Sequence, residues 1–295
     1  MNKKLFSMAV LFAVLLSNIG VIPVLAQSVS PAWDFEYDLN GDGTGVVICK
    51  YKGQRKDVVI PSSIEDIPVV ELDVRAFSGT DIVSVVIPNS VTDIGFYCFA
   101  NCRYLQKALL PNTLTFLDLG VFQRCIALKN ITLPKSLEYI GIGAFPGSGL
   151  ESITIPDKVH TIGAHNGGIP PFSDCVHLKS VTIGNGTEMI GWGAFGGCTS
   201  LTTVSIGSGI KAILGGAFAY CRNLTSFNIG VKKLKAGSTF KLYGGGDGRY
   251  HETGYINSVQ DLDGNTHQID IFVGCSALSL KEKKKIRDTG YTGGF

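Results

Sequence analysis

The stretch DLNGDGTG, residues 38–45, has the residue types of a calcium-binding loop. Its carboxylate and amide side chains stand at positions 1, 3 and 5, and a glycine stands at position 6, as in an EF-hand. An EF-hand also needs a bidentate glutamate at position 12, where this chain has Cys49. Strand-like residues flank the stretch on both sides, and Asn-Gly and Asp-Gly pairs favour tight hairpin turns. We therefore interpret it as a hairpin turn and expect the melting temperature to be independent of calcium.

Two other sequence patterns are weaker indications of a binding site. The segment GWGAFG, residues 191–196, matches the G-x-G-x-x-G pattern of dinucleotide-binding loops, but it lacks the strand–turn–helix context that such a loop needs. A zinc site can be imagined from nearby histidine and cysteine side chains, although their spacing fits no usual zinc pattern. These side chains are His160, His165, Cys175 and His177. We therefore predict no metal, no cofactor and no catalytic residues.

The composition is that of an ordered globular protein. The 295 residues are 45% hydrophobic and 17% charged, with a formal net charge of +2, which gives no electrostatic reason to expect a nucleic-acid partner.

The N-terminus has the pattern of a targeting segment. Lys3 and Lys4 precede an apolar run, and Val24 and Ala26 stand before a plausible cleavage site. This pattern predicts a secretory signal peptide, residues 1–26, cleaved after Ala26. A retained membrane anchor is the alternative.

A repeat of about 23 residues organises most of the chain and follows L-x-x-I-x-I-P-x-x-V-x-x-I-G-x-x-A-F-x-x-C-x-x. Its alternating first half predicts a short strand, which the following Pro or Gly ends. V-x-x-I-G is expected to turn the chain, and A-F-x-x-C to return it with Phe and Cys inward. One unit buries too little apolar surface to offset the entropy of ordering it, so the units must stack as a solenoid. An irregular unit 1 contains Phe77, and units 2 to 8 begin at Ile82, Leu105, Leu128, Leu150, Leu178, Leu201 and Leu224. The eight phenylalanines of the repeat are Phe77, Phe99, Phe122, Phe145, Phe172, Phe195, Phe218 and Phe272.

The cysteines follow the repeat rather than a disulfide pattern. Cys98 stands where other units have alanine, and Ser148 replaces the repeat cysteine in unit 4. A free cysteine packs as a small hydrophobic residue, so we interpret the column as part of the core. Disulfides between stacked units are the alternative, since an exported protein permits them. Six cysteines occupy the last inward position of a unit: Cys102, Cys125, Cys175, Cys198, Cys221 and Cys275.

The repeated motif resembles that of the BspA-like bacterial leucine-rich repeat proteins. The resemblance covers Asp57 to Leu278 and rests on I-P after the first strand and I-G-x-x-A-F-x-x-C in the return. It implies a curved, β-rich α/β solenoid of about eight units of about 23 residues, on a bacterial surface or in the secreted fraction. Some relatives act as adhesins for host matrix proteins or other bacteria. The segments DFEYDLNGDGTGVVICKYKG and LSLKEKKKIRDTGYTGGF resemble the family's lead-in and closing helix.

These patterns give an expected domain map. Ser279 and Glu282 are spaced as a capping box that opens the last helix. After the signal peptide we expect an N-terminal capping hairpin over 27–57, a solenoid over 58–278 with insertions at 164–171 and 241–270, and a C-terminal capping helix and tail over 279–295.

The outward positions of the repeat strands are the first candidate binding surface, since many solenoids bind partners there. Most are Ser, Thr or Asn, without histidine or paired carboxylates, so they offer no acid–base chemistry. The alternative is that hydroxyl residues simply suit exposed strands. The candidate residues on this surface are Val86, Lys107, Leu109, Asn130 and Thr132.

The insertion at 241–270 is the second candidate binding surface. It is long, polar and aromatic, which suits recognition of a protein or a glycan. A decorated loop that shields the C-terminal end is the alternative. Its candidate residues are Tyr243, Arg249, Tyr250, His251 and Tyr255.

The sequence therefore predicts a non-enzymatic, monomeric protein, secreted or at the cell surface, without a membrane span after signal cleavage. The resemblance implies that it binds host matrix or cell-surface proteins as an adhesin does. A carbohydrate-binding or cell-envelope module that uses the 241–270 insertion is the alternative.

Overall fold

The computed structural model describes residues 28–163, 168–230, 258–260, 266–268 and 271–288. Across them the chain forms a β-solenoid of about eight turns of about 23 residues. A small β-sheet cap precedes the solenoid, and in the described part of the chain one α-helix follows it. The predicted fold class, a leucine-rich repeat solenoid with an N-terminal hairpin and a C-terminal helix, is confirmed.

The first half of most units forms a short strand, as the alternation predicts. These strands are β3 (Asp57–Val59), β6 (Ser84–Val86), β8 (Lys107–Leu109), β11 (Ser152–Ile155), β13 (Ser180–Ile183), β15 (Thr203–Ile206) and β17 (Ser226–Ile229). They stack in parallel, in the orders β3-β6-β8 and β11-β13-β15-β17. Successive side chains of a strand point to opposite sides, so most inward residues are buried, as Ile153 and Ile155 are in β11. Ala108 in β8 and Ile229 in β17 are only partly buried. We call their outward side the strand face.

The V-x-x-I-G segment was expected only to turn the chain, and this expectation is wrong. It forms a second parallel sheet of two-residue strands, because stacking brings equivalent segments to the spacing of about 4.8 Å at which strands pair. These strands are β9 (Phe116–Leu117), β10 (Tyr139–Ile140), β12 (Thr161–Ile162), β14 (Met189–Ile190) and β16 (Ala212–Ile213). In unit 2 the equivalent strand is β7 (Asp93–Ile94).

The N-terminal cap is built from the predicted hairpin. Strands β1 (Phe35–Leu39) and β2 (Val46–Tyr51) pair antiparallel, after a 3-10 turn at Ala32–Asp34. β4 (Ser63–Ile64) pairs antiparallel with β5 (Ile67–Leu72), and β5 lies parallel to β2 and to β7. The cap sheet therefore includes β7 of unit 2, while β9, β10, β12, β14 and β16 form a separate sheet.

Within the hairpin turn, the side chains that resembled calcium ligands bond to the chain itself. The Asn40 side-chain oxygen accepts the backbone N–H of Gly45 at 2.9 Å, and Asp42 accepts the backbone N–H of Thr44 at 3.0 Å. Asp42 also accepts the Thr44 hydroxyl, and these hydrogen bonds from Thr44 lower the pKa of the carboxyl. The turn is thus closed by its own donors.

The C-terminal helix α1 (Leu280–Asp288) lies beside the last strand of the strand face. The backbone N–H of Glu282 donates to the Ser279 hydroxyl at 3.2 Å, which is the N-terminal half of the predicted capping box. Glu282 in turn accepts the backbone N–H of Phe227 at 3.5 Å, so the helix covers part of the edge of β17. Ile286 anchors it in the core with 3% exposure. This helix is too short and too polar to cross a membrane.

The described part of the 241–270 insertion is a short antiparallel pair. It consists of β18 (Ser258–Gln260) and β19 (Thr266–Gln268), with Val259 opposite His267. The chain on either side of these strands lies outside the described residues.

A column of stacked phenylalanine rings runs through the core. All eight predicted rings are buried, and consecutive centroids lie 4.9 to 6.1 Å apart with nearly parallel planes. Tyr51 extends the column into the cap at 5.3 Å from Phe77. Each ring therefore packs against its two neighbours, and the column links the units along the solenoid axis.

The cysteine column is buried as predicted, and it also makes hydrogen bonds that the sequence did not suggest. Each of the six thiols lies 3.0 to 3.3 Å from the carbonyl oxygen of the preceding unit's phenylalanine, as Cys198 does with Phe172. All eight cysteines are free. A thiol at this position thus fills a small space and also satisfies a buried carbonyl.

We expect the native protein to react with Ellman's reagent mainly at Cys49, which alone among the eight is partly exposed. The thiolate is the reactive species, and burial raises the pKa of Cys175 to about 11 and that of Cys275 to about 12. Their thiolate fractions at neutral pH are therefore negligible. All eight thiols should react after denaturation without reductant, and a smaller number would show that disulfides form in the protein.

Candidate functional site

Four of the five candidate residues on the strand face lie exposed in two successive units. Lys107 and Leu109 belong to β8 in unit 3, while Asn130 and Thr132 belong to unit 4. Leu109 is 52% exposed, which is high for a leucine. Val86 pairs with Leu109 in the ladder but is only half-exposed. The five residues therefore converge on units 2 to 4.

The candidate residues of the insertion lie outside the described part of the chain. Its strands β18 and β19 are described, but the structure gives no position for the five side chains. These are Tyr243, Arg249, Tyr250, His251 and Tyr255.

The parallel sheet of the strand face is interrupted at unit 4. Asn130–Leu133 stand where a strand is expected, yet β8 and β11 on either side belong to separate sheets. The backbone N–H of Glu151 donates to the carbonyl of Lys129 at 2.8 Å, and the pairing stops there. Through the described residues, no backbone hydrogen bond joins Asn130–Leu133 to β8 or β11.

Two sequence features contribute to the interruption. In later units a glycine ends the strand and its N–H donates to the preceding unit, as Gly184 does to Ile155 at 3.0 Å. Pro134 and Pro156 occupy this position in units 4 and 5, and proline has no N–H to donate. Pro88 and Pro111 occupy it in units 2 and 3, whose strands still pair, so proline alone does not interrupt the sheet. Unit 4 is also one residue shorter than unit 3, with 22 residues from Leu128 to Gly149. Its backbone thus lacks the ladder bonds of the other units.

An open depression of about 580 Å³ lies at this interruption. Ile131 and Leu133, which are 9% and 5% exposed, form an apolar floor. Hydroxyl and amide side chains form the walls, where the Ser152 hydroxyl donates to the Asn130 side chain at 3.2 Å. The residues around it are Lys107, Ala108, Asn130, Ile131, Thr132, Leu133, Lys135, Ser152, Thr154 and Pro156.

The charge of the depression is positive. Lys107 and Lys135 are its charged lining residues, and no lining residue is a carboxylate. Glu151, next to Ser152 in the chain, is already paired with Lys129 at 3.3 Å and with Lys179 at 2.8 Å. These two lysines lower the pKa of Glu151, Lys179 having the larger effect. Its negative charge is therefore balanced outside the depression.

The described residues of the strand face provide binding groups. Among them, no group of three or more His, Cys, Asp or Glu side chains could hold a metal ion. Of the side chains considered for zinc, Cys175 is buried and bonds to the Phe145 carbonyl, whereas His160 and His177 are exposed. His165 lies outside the described residues. The strand face can therefore supply hydrogen bonds, apolar contact and positive charge.

The structure also shows an apolar column that the sequence reading missed. It lies three residues before the phenylalanine in units 1 to 6, and Val74, Phe96 and Ile169 in it are 50%, 47% and 42% exposed. The signal was present, because this position of the repeat is apolar in all six units. The column consists of Val74, Phe96, Leu119, Ile142, Ile169 and Trp192.

Comparisons with known proteins agree with the geometry of the repeat. The BspA type leucine rich repeat region matches residues 48–166 and 170–241 in six copies. A leucine-rich repeat protein of T. pallidum is 29% identical, with a TM-score of 0.63 over 91% of this chain and 99% of that one. One from Bacteroides ovatus is 25% identical, with a TM-score of 0.60 over 86% of this chain and 70% of that one. No curated protein matches the chain.

Proposed function

Because this chain belongs to the BspA-type leucine-rich repeat family, we propose that it is a non-enzymatic binding protein that holds a protein partner on its strand face. The partner is a host matrix or cell-surface protein, and the protein acts as an adhesin. Leucine-rich repeat proteins commonly bind proteins, which supports the choice of partner.

The observation that carries this proposal is the depression at the interrupted unit. It brings Lys107, Asn130 and Thr132 together over an apolar floor, which is the combination of apolar surface and a few polar groups that binding sites use. Leu109 lies exposed on the same strand as Lys107 and extends the apolar contact.

The predicted signal peptide, residues 1–26, supports export to the surface or the medium. It lies outside the described residues, so this part of the proposal rests on the sequence. Mass spectrometry of the secreted protein tests it, since cleavage after Ala26 would leave Gln27 as the first residue.

The binding proposal is tested with two threonines of unit 5 that lie in opposite sheets. Thr154 is on the strand face in β11, and Thr161 is in β12 of the second sheet. We expect Thr154→Arg to weaken binding to immobilised matrix proteins and whole cells at least about tenfold, because a bulky charge would obstruct the face. Thr161→Arg is the matched control and should bind as the wild type does. Equal loss in both variants, or in neither, would exclude the strand face.

The carbohydrate-binding alternative is separated by deleting residues 241–270. If the insertion carries the site, the deletion should abolish binding to a glycan array while Thr154→Arg leaves it intact. If the strand face carries the site, the deletion should leave glycan binding intact and Thr154→Arg should abolish it. Circular dichroism tests whether the solenoid of the deletion variant is still folded.

A further inference from the structure

We propose that the depression at unit 4 binds an acidic, extended peptide segment of the partner. This inference rests on the proposed function, since it specifies the ligand of the same surface. Three features of the site support it: its charge, its unpaired backbone and the chemistry of its lining.

The charge selects for an acidic ligand. Lys107 lies in unit 3 and Lys135 in unit 4, and both line the depression. Neither forms a salt bridge with a carboxylate of the described chain, whereas Lys129 and Lys179 are committed to Glu151. Two ammonium groups without an acidic counterpart in the lining make the depression electrostatically complementary to carboxylates.

The unpaired backbone selects for an extended chain. Asn130–Leu133 lack the backbone hydrogen bonds that equivalent segments make in the other units. Backbone N–H and C=O groups need partners, and an extended peptide supplies alternating donors and acceptors along its length. A bound peptide could therefore supply partners that the neighbouring units do not.

The lining favours a peptide over an acidic glycan. None of the ten lining residues is aromatic, so a sugar ring would have no flat aromatic surface to pack on. The floor of Ile131 and Leu133 and the exposed Leu109 nearby instead suit an aliphatic side chain. We therefore expect the peptide to combine two acidic residues with one aliphatic residue.

The test uses fluorescence anisotropy with defined peptides and the full exported chain. The probes are fluorescein-labelled nonapeptides of serine with one leucine and two glutamates at different spacings, and the same peptides with lysines for glutamates. We expect the best glutamate peptide to bind at least about tenfold more tightly than its lysine counterpart. Its affinity should fall as salt rises, because both lysines are exposed and their charges are screened.

Charge reversals locate the binding. Lys107→Glu and Lys135→Glu should each weaken binding of the glutamate peptide about fivefold to tenfold, because each puts a carboxylate of the protein near the carboxylates of the peptide. Lys158→Glu is the matched control, since Lys158 is exposed and outside the lining, and it should leave affinity within about twofold. Equal binding of glutamate and lysine peptides, or unchanged affinity in the two lining variants, would overturn the inference.

Two further outcomes separate this inference from the proposed function. If Thr154→Arg abolishes partner binding but the lining lysine variants do not affect it, the strand face binds the partner without an acidic peptide. If heparin binds with the same lysine dependence and the peptides do not bind, the site takes an acidic glycan. Either result would refute the peptide inference, and only the first would leave the protein partner in place.

Discussion

Replacing Phe172 with alanine is expected to lower the free energy of unfolding by about 3–5 kcal/mol. The side chain is fully buried, and its ring lies 5.1 Å from that of Phe145 and 4.9 Å from that of Phe195. The substitution removes a large apolar group and leaves a cavity between two rings that are held by their own units. It also removes two stacked pairs, each of which contributes about 0.5–1.5 kcal/mol beyond burial.

This loss should be large because the units have little independent stability. A repeat of this kind folds through its contacts with neighbouring units. A defect at one interface therefore weakens the coupling between the units that precede it and those that follow it. Phe172 is in unit 5, so four units precede it and three follow. We therefore expect the substitution to broaden the unfolding transition as well as to lower its midpoint.

Urea denaturation followed by circular dichroism measures the effect. Phe116→Ala is the matched control, because Phe116 is 57% exposed in the second sheet and contacts only the ring of Tyr139 among the aromatic residues described, at 6.3 Å. It should cost less than about 1 kcal/mol. Similar losses in the two variants would contradict the structural role of the buried column.

Gly149→Ala is expected to destabilise the protein by about 1–3 kcal/mol, through crowding rather than a cavity. A β-carbon added at Gly149 would lie 2.1 Å from the carbonyl oxygen and 2.8 Å from the carbonyl carbon of Ile126. Both are backbone atoms, so no side-chain rotation can relieve the contact. Units 3 and 4 would have to separate locally, which would strain the hydrogen bond from the Gly149 N–H to the Cys125 carbonyl at 3.1 Å.

The control for this prediction is Gly41→Ala in the hairpin turn. Nothing lies within 4 Å of a β-carbon at Gly41, so the same chemical change should alter stability by no more than about 0.5 kcal/mol. Thermal and urea unfolding of both variants make the comparison. If Gly149→Ala unfolds at the same midpoint as the wild type, the close approach at the short unit is not a constraint on stability.

Much of the fold was predictable from the sequence because the same pattern of apolar residues recurs in every unit. Alternation placed Ile153 and Ile155 inward, and the recurring Phe and Cys identified the core columns that the structure contains. The hairpin turn at 38–45 was also predictable, because Asn-Gly and Asp-Gly favour tight turns whatever surrounds them. The same holds for the helix start at Ser279, which depends on a local capping bond.

The candidate binding site was only partly predictable. Outward alternation identified Lys107, Asn130 and Thr132 as members of one surface, but it gave all units an equivalent strand. The same alternation also pointed Ser152 and Thr154 outward, but it did not indicate Lys135, nor that these residues share one depression. Those residues come together because the sheet is interrupted at unit 4, and an interruption is a property of neighbouring units rather than of one.

The sequence by itself determined which side chains face the core, since inward and outward positions follow from local backbone geometry and the cost of exposing apolar groups. Tertiary structure alone decided which neighbouring backbones come close enough to pair. That distance depends on how the lengths and end residues of successive units add up, including Pro134, Pro156 and the short turn at Gly149. The second sheet, the thiol hydrogen bonds and the depression all arise from contacts between units about 23 residues apart, and so they required the stacked solenoid.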